Sequence, residues 1–163
     1  MENVLDRAIV FATEAHEGQF RKGTQIPYIL HPLEAAAIVG TMTTDNEIIA
    51  GAVLHDVVED TDTTIDDVQE TFGDRVAFLV YSESENKREN SSAQSTWKIR
   101  KQETLDHLKK APLDVKMITL GDKLSNIRAI HRDIILSVMR FGRDLTKRTR
   151  TSIIGIIKVL LIV

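Results

Sequence analysis

The stretch IIAGAVLHDVVED, residues 48–60, joins an apolar helix run directly to four ionisable side chains. A buried carboxylate must be paired or hydrated, so charges at the end of an apolar run require a compensating charge. On an ideal helix these side chains lie within an arc of about 140°, and the two valines point to the other side. The four side chains are His55, Asp56, Glu59 and Asp60. The segment therefore predicts a polar face at the end of a buried helix.

A neutral imidazole beside carboxylates is a ligand set for a divalent cation, whose charge would make this cluster tolerable. The alternative is a solvated helix end with acids that happen to be adjacent, so the metal hypothesis needs ligands from elsewhere. His31 precedes a proline at a predicted helix start, although a single histidine there is more often structural. Asp122 lies on a face shared with Ile118 and Asn126, away from the predicted apolar stripe of its helix. For Asp122, the sequence favours a surface position and a ligand position equally. The predicted stripe is Met117, Leu120, Leu124 and Ile127.

Hydrophobic spacing with a period of 3.6 residues dominates the chain, and strand-like alternation is scarce. The predicted fold class is therefore all-α, without an internal repeat or a domain linker. The polar, serine-rich stretch NKRENSSAQST, residues 86–96, predicts a mobile loop. Helices are predicted over residues 4–15, 31–40, 45–60, 65–72, 75–84, 96–111 and 113–131.

Three helix boundaries carry specific sequence signals. Thr44, with Glu47 three residues on, has the spacing of a capping box. Thr63 or Thr64 is suited to cap the helix that follows, and Gly73 is suited to end it. These signals divide the middle of the chain into separate short helices.

The bulk composition excludes several classes of function. The chain has 163 residues and no cysteine, which rules out disulfides, thiolate catalysis and cysteine-ligated zinc and fits a reducing cytoplasm. A net charge of −3 and 5% aromatic residues argue against a nucleic-acid surface or an anionic-membrane surface. No apolar run reaches the length of about 18 residues that a membrane helix needs. The composition therefore predicts a cytoplasmic globular domain that binds neither nucleic acid nor membrane.

Four ordered blocks of sequence resemble the HD superfamily of metal-dependent phosphohydrolases, whose signature is H…HD…D. The blocks are AHEGQFRKGTQIPYILHP, AVLHDVVEDTDTT, FGDRV and ITLGDKLSNIRAI, and they span roughly residues 8–130. They are most similar to the SpoT/RelA-type alarmone hydrolases. The segment from SESENK to HLKKAP looks like the small single-domain members. The resemblance implies an HD-domain helical bundle.

The resemblance also implies roles for individual residues. One divalent ion, usually manganese in this family, would be bound by His31, His55, Asp56 and Asp122. An acidic pair, Glu59 and Asp60, would handle the catalytic water. Substrate contacts would come from Arg21, Lys22 and Asn126. This chain has one more residue between the basic pair and the first histidine than many relatives have. The match of Arg21 and Lys22 to the basic pair of the family therefore depends on where that residue is inserted.

The activity that the resemblance implies is hydrolysis of the 3′-pyrophosphate of ppGpp or pppGpp, which gives GDP or GTP and pyrophosphate. Two alternatives stay open: a phosphohydrolase of another nucleotide, and a catalytically silent module that binds nucleotide. A silent site would have little reason to keep Glu59 and Asp60 beside an intact ligand set. The chain lacks the GVTK text of the long enzymes, which leaves the identity of the guanine nucleotide substrate open.

The C-terminal part of the chain departs from the family. We expect the HD domain to cover residues 1–133, followed by a divergent tail over residues 134–163. Reading A/T-rich codons for this tail in a shifted frame yields family-like text, which suggests a frameshift near Asp133–Ile134. The tail ends in SIIGIIKVLLIV, an apolar run too short to span a bilayer. We expect it to pack on the same domain, with a homodimer contact as the second alternative.

Overall fold

The computed structural model describes residues 3–83 and 93–141, and it describes side chains over 3–83 and 102–136. The regular secondary structure of these residues consists of helices, with one isolated bridge between Phe20 and Pro27, so the all-α prediction is confirmed. No helix among them is long and apolar enough to cross a membrane. The helices are α1 Val4–Ala15, α2 Leu30–Val39, α3 Asn46–Leu54, α4 Val57–Asp60, α5 Ile65–Phe72, α6 Asp74–Glu83, α7 Ala93–Lys110 and α8 Leu113–Phe141.

The helix boundaries follow the predicted signals with one correction. Thr64 caps α5 in a complete capping box with Asp67, and Gly73 ends that helix with a positive φ of 88°. The predicted cap Thr44 is wrong, because the side chain of Asp45 accepts the hydrogen bond from the backbone N–H of Glu47 at 3.0 Å. Asp45 is the residue directly before α3 and, like threonine, is a favoured N-cap.

The predicted helix over residues 45–60 is broken in the structure at His55 and Asp56. The first part, α3, ends at Leu54, and a separate short helix, α4, begins at Val57. A continuous helix would offer the carbonyl of Ala52 to the backbone N–H of Asp56. That carbonyl accepts a hydrogen bond of 2.8 Å from Nδ1 of His55, so a side chain competes for it. The single helix predicted over residues 45–60 is therefore two helices joined by a turn at His55 and Asp56.

The hydrophobic core is built around α3, which packs against α1, α2 and α6. The core-facing side chains of α3 are small or branched and almost fully buried, including Ala50, Val53 and Leu54. A Cβ atom added at Gly51 would lie 3.0 Å from Ile118, so this glycine allows α8 to approach closely. This packing brings the end of α3 next to the first half of α8.

The buried face of α8 differs from the predicted apolar stripe. Leu120 is 52% exposed and Ile127 is 36% exposed, whereas Ile118, Asp122 and Ser125 are buried. The stripe was inferred from apolar residues alone, but this helix buries small and polar side chains toward a site. We therefore correct the orientation of α8, which turns Asp122 inward.

The chain divides into two compact units, Met1–Ser125 and Asn126–Val163. The first unit contains α1 to α7 and the first part of α8. In the second unit the structure describes the remainder of α8, which extends ten residues beyond the predicted end at 131. Most of the predicted loop (86–92) and the tail beyond 141 lie outside the described residues, although α7 begins at Ala93, inside the predicted loop.

Candidate metal centre

The four predicted metal ligands converge in the first unit, although they come from three separate parts of the chain. His31 lies on α2, His55 and Asp56 lie in the turn after α3, and Asp122 lies on α8. The atom Nε2 of His31 is 3.3 Å from Asp56 Oδ2 and 3.3 Å from Asp122 Oδ1. The corresponding distances from Nε2 of His55 are 3.1 Å and 3.8 Å.

These separations fit donors that share one cation. Ligand atoms at about 2.1 Å from a transition metal lie about 3.0–3.4 Å apart at octahedral or tetrahedral angles. His31, His55 and Asp122 are buried, and one donor atom from each lies within 4.8 Å of the others. Two imidazoles and two carboxylates also match the chemistry of a borderline divalent ion. The residues present therefore fit a divalent cation.

His55 presents a bare nitrogen to this cluster. Its Nδ1 donates a hydrogen bond to the carbonyl of Ala52 at 2.8 Å. That bond places the ring proton on Nδ1 in the neutral form, so Nε2 carries a lone pair. The Nε2 atom is buried and makes no hydrogen bond, despite lying near Asp56. A buried acceptor without a donor is costly, and a cation would satisfy it.

His31 is oriented by two residues that the sequence analysis missed. Its Nδ1 lies 2.9 Å from the hydroxyl of Ser125, and that hydroxyl donates to Glu34 Oε2 at 2.9 Å. Because the hydroxyl proton is directed to the carboxylate, the serine oxygen accepts the proton of Nδ1, which leaves Nε2 of His31 free for a cation. Ser125 is fully buried. It follows Asp122 by one helical turn, and this spacing is the sequence signal that could have indicated its role.

The charges within the cluster stabilise one another. Burial raises the pKa of Asp56 and of Asp122, but the two histidines outweigh it and hold both pKa values below the usual range. Burial lowers the pKa of His31 and of His55, but the neighbouring carboxylates of Asp56 and Asp122 outweigh it and raise both. Lys123 adds a contact of 2.7 Å to Asp122 Oδ2. Both carboxylates are therefore ionised at neutral pH.

Tyr28 links a predicted ligand to a predicted catalytic residue, and the sequence analysis did not single it out. Its hydroxyl lies 2.8 Å from Asp56 Oδ2 and 2.7 Å from Asp60 Oδ2. Burial, followed by the charge of Asp56, raises the pKa of Tyr28 well above its usual range. The hydroxyl therefore stays protonated and acts as a donor.

The other predicted site residues lie on α4, in the loop before α2 and on α8. Glu59 is half-buried on α4, and Asp60 is exposed at the end of the same helix. Arg21 and Lys22 lie in the loop between α1 and α2, the loop that also carries Tyr28. Asn126 begins the second unit, and its proposed role remains a prediction.

A further acidic residue, Glu83, was also missed. It accepts a hydrogen bond from the hydroxyl of Thr119, which lies one turn before Asp122 on α8. Burial raises the pKa of Glu83. Its electrostatic interactions with His55 and Asp122 indicate that it lies near the cluster.

The fold is all-α and brings two imidazoles and two carboxylates together. The chain is therefore a helical protein with a candidate site for a divalent cation. The sequence pattern of the HD domain matches residues 8–140. This match covers most of the chain, and the chain belongs to the HD-domain family.

Several characterised proteins are similar to this chain. MESH1 of Danio rerio, named guanosine-3′,5′-bis(diphosphate) 3′-pyrophosphohydrolase, is 35% identical over 132 residues, which cover 79% of this chain and 70% of MESH1. The bifunctional (p)ppGpp synthase/hydrolase SpoT of Escherichia coli is 46% identical over 76 residues, which cover 47% of this chain. That alignment spans only 11% of SpoT, so the bacterial relative is far longer.

Two solved structures share the fold. A metazoan orthologue of SpoT, described as hydrolysing ppGpp, aligns with a TM-score of 0.72 and 28% identity over 93% of this chain and 80% of its own. The protein lmo0812 of Listeria monocytogenes aligns with a TM-score of 0.57 and 36% identity over 78% of each chain. The chain therefore shares its fold with both of these solved proteins.

Proposed function

We propose that this chain is a metal-dependent pyrophosphohydrolase that removes the 3′-pyrophosphate of ppGpp or pppGpp. The observation that carries the proposal is the convergence of His31, His55, Asp56 and Asp122, in which each histidine Nε2 lies 3.1–3.8 Å from an oxygen of each aspartate. Relatives with matching sequence, including MESH1, are named 3′-pyrophosphohydrolases of the same nucleotide. Membership of the HD-domain family supports the same reaction class.

We propose that the four clustered side chains hold one divalent cation, and that this cation is Mn²⁺. When bound, the cation would supply positive charge to the phosphate oxygens and lower the pKa of a water molecule. Imidazole nitrogens with carboxylate oxygens suit Mn²⁺ and several other divalent ions, so its identity is a separate proposal. Calorimetric titration of the purified chain with Mn²⁺ and Zn²⁺ would test it.

In the proposed reaction, Glu59 takes a proton from water, and Asp60 orients that water for attack. The water oxygen bonds to the phosphorus attached to the ribose 3′ oxygen, and the bond between that phosphorus and the 3′ oxygen breaks. The 3′ oxygen then takes a proton, so GDP or GTP and pyrophosphate leave. Glu59 lies on α4, the short helix that directly follows His55 and Asp56 in the chain, which supports its placement near the clustered side chains.

The proposed substrate contacts are Arg21, Lys22 and Asn126. A bis-diphosphate carries several negative charges, so cationic side chains at the entrance would lower the cost of bringing it to a carboxylate-rich site. Arg21 and Lys22 supply that charge from the loop that also holds Tyr28. Asn126 follows Ser125 on α8 and would contribute a neutral hydrogen-bonding group.

The decisive experiment is an assay of the full chain with Mn²⁺ and ppGpp, with pyrophosphate and GDP measured as products. We expect stoichiometric release of both, and we expect D122N to lose activity by more than about 100-fold because an interior ligand is lost. The matched control is D114N on the same helix, which should retain activity. Asp114 bonds to the adjacent backbone N–H of Val115 and lies outside the cluster.

Each result of this assay has a defined meaning. Bound metal without pyrophosphate release from ppGpp would reject the proposed function. Turnover of a different nucleotide would then support the first alternative, and nucleotide binding without turnover would support the silent module.

The location, the domain boundary and the oligomeric state of the chain are three further proposals. We propose a cytoplasmic location, which the absence of cysteine supports. We also propose that residues 1–133 form the HD domain and that the tail packs on it rather than forming a homodimer. Sedimentation of the full chain would test the oligomeric state, and the gene sequence around codons 133–134 would test the frameshift.

A further inference from the structure

Tyr28 places one hydroxyl between two carboxylates. Its oxygen lies 2.8 Å from Oδ2 of Asp56 and 2.7 Å from Oδ2 of Asp60. A phenol has one proton, so it donates to one of these oxygens at a time. The same Oδ2 atom of Asp56 also faces Nε2 of His31 and of His55, at 3.3 Å and 3.1 Å. A cation bound to this oxygen would make it a weaker acceptor, which favours donation of the tyrosine proton to Asp60.

The ring of Tyr28 is held in place independently of its hydroxyl. It packs against the buried imidazole of His16 with centroids 4.8 Å apart, and it meets His31 edge-on at 5.9 Å. The backbone N–H of Tyr28 donates to the carbonyl of Gln19 at 2.9 Å. Replacing Tyr28 with phenylalanine would therefore keep the ring packing and remove only the hydroxyl.

The residues around Tyr28 also hold Asp60. The amide of Gln19 donates to the backbone carbonyl of Asp60 at 2.9 Å, and its oxygen accepts from Nδ1 of His16 at 2.9 Å. Asp60 is exposed, so contacts with its neighbours determine how its carboxylate is oriented. The backbone contact holds the main chain of Asp60 in place, and the hydroxyl of Tyr28 contributes to orienting its carboxylate.

We propose that Tyr28 is a positioning residue whose hydroxyl holds the carboxylate of Asp60 next to the metal ligand Asp56. The proposal rests on the proposed function, because it assigns Asp60 to the orientation of the attacking water. The position of a catalytic group matters, because small displacements of reacting groups reduce rates strongly.

The kinetic test compares Y28F with Y81F. Tyr81 is the other tyrosine of the chain and is 68% exposed, so Y81F is a matched loss of one hydroxyl. At saturating metal we expect kcat of Y28F to fall by about 10- to 100-fold with KM little changed, whereas Y81F should match the unaltered chain. An unaltered kcat for Y28F, or full recovery of kcat by added metal, would overturn the proposal. Recovery would mean that the hydroxyl acts only by supporting Asp56.

A double-mutant comparison separates positioning from general structural support. If the hydroxyl acts through Asp60, Y28F should lower kcat little further in a chain that already carries D60N. Losses that multiply independently would contradict the proposal. Equal unfolding midpoints for Y28F and the unaltered chain would show that the loss of kcat is not a loss of fold.

A spectroscopic test does not require turnover. In Y81F, Tyr28 is the only remaining tyrosine, so ¹³Cζ-tyrosine labelling gives a single resonance. With diamagnetic Zn²⁺ bound, we expect D60N to move this resonance, because the acceptor of the hydroxyl has changed. A resonance that D60N leaves in place would overturn the proposal. If the chain does not hydrolyse ppGpp, the proposed function is rejected. The effect of D60N on the resonance would still decide the role of Tyr28.

Discussion

At the scale of single residues, the two histidines are each oriented through the ring nitrogen that faces away from the cluster. His55 uses a backbone carbonyl, that of Ala52, whereas His31 uses the hydroxyl of Ser125, which in turn donates to Glu34. Both bonds determine which nitrogen carries the proton. Outer contacts of this kind orient a metal-binding imidazole and raise its basicity.

The first prediction concerns the hydroxyl of Ser125. In S125A, Nδ1 of His31 and the carboxylate of Glu34 lose their shared partner, so we expect the Kd for Mn²⁺ to rise by about 10- to 100-fold. Isothermal titration calorimetry would measure it. The control S82A removes a hydroxyl that bonds to the carbonyl of Phe78 within its own helix, and its Kd should be unchanged. Equal Kd values for S125A and the unaltered chain would contradict the prediction.

At the scale of helices, α8 lies close to α2 at a glycine. A Cβ atom at Gly121 would lie 2.8 Å from the carbonyl oxygen of Ala35 and 2.8 Å from Cγ2 of Val39. One of these atoms belongs to the backbone, which cannot move without displacing α2. Because Gly121 adjoins Asp122, the close approach of these helices also sets the position of that carboxylate relative to His31.

The second prediction follows from this approach. A glycine-to-alanine change inside a helix normally stabilises it by about 0.5–1 kcal/mol. In G121A we expect the steric conflict to exceed this gain and to lower the free energy of unfolding by about 1–3 kcal/mol. We also expect weaker Mn²⁺ binding, because Asp122 is displaced.

The matched control for this prediction is G40A. An added Cβ at Gly40 would have its nearest contact at 3.4 Å, so the change should leave unfolding and metal binding close to those of the unaltered chain. Denaturant unfolding and calorimetry would measure both variants. A G121A chain as stable as G40A, with equal affinity for Mn²⁺, would show that the two helices tolerate separation.

At the scale of the first unit, Met1–Ser125, the candidate metal centre joins parts of the chain that are distant in sequence. His31 and Asp122 are separated by α3 to α7, so their contact exists only when those helices are packed. An ion that binds this cluster therefore binds the folded chain far better than the unfolded one. Binding energy of that kind adds directly to the stability of the fold.

The third prediction is that divalent metal stabilises the protein against heat. At a free concentration about 100 times its Kd, a ligand adds about 2.7 kcal/mol to the free energy of unfolding. For a chain of this size the added stability corresponds to a rise in Tm of about 5–10 °C. Scanning calorimetry with Mn²⁺ and with a chelator would measure it. In D122N the two traces should nearly coincide, and an equal rise in both chains would place the binding elsewhere.

Much of the helical architecture could be predicted because its signals are local. The period of apolar residues and the caps at Thr64 and Gly73 depend on neighbours within one or two turns. The break after Leu54 could not, because it accompanies a side-chain hydrogen bond from His55 that competes with the helix. The buried face of α8 was also misassigned, since apolar spacing does not indicate that Asp122 and Ser125 face inward.

The sequence by itself determined the helical class and, through its resemblance to the HD family, the residues that the structure brings together at the candidate metal centre. Only the tertiary structure decided how those residues are supported. Tyr28 meets Asp60 across 32 positions and Ser125 meets Glu34 across 91. Contacts at such separations leave no periodic trace in the sequence, because they depend on how whole helices pack rather than on the local preferences of the chain.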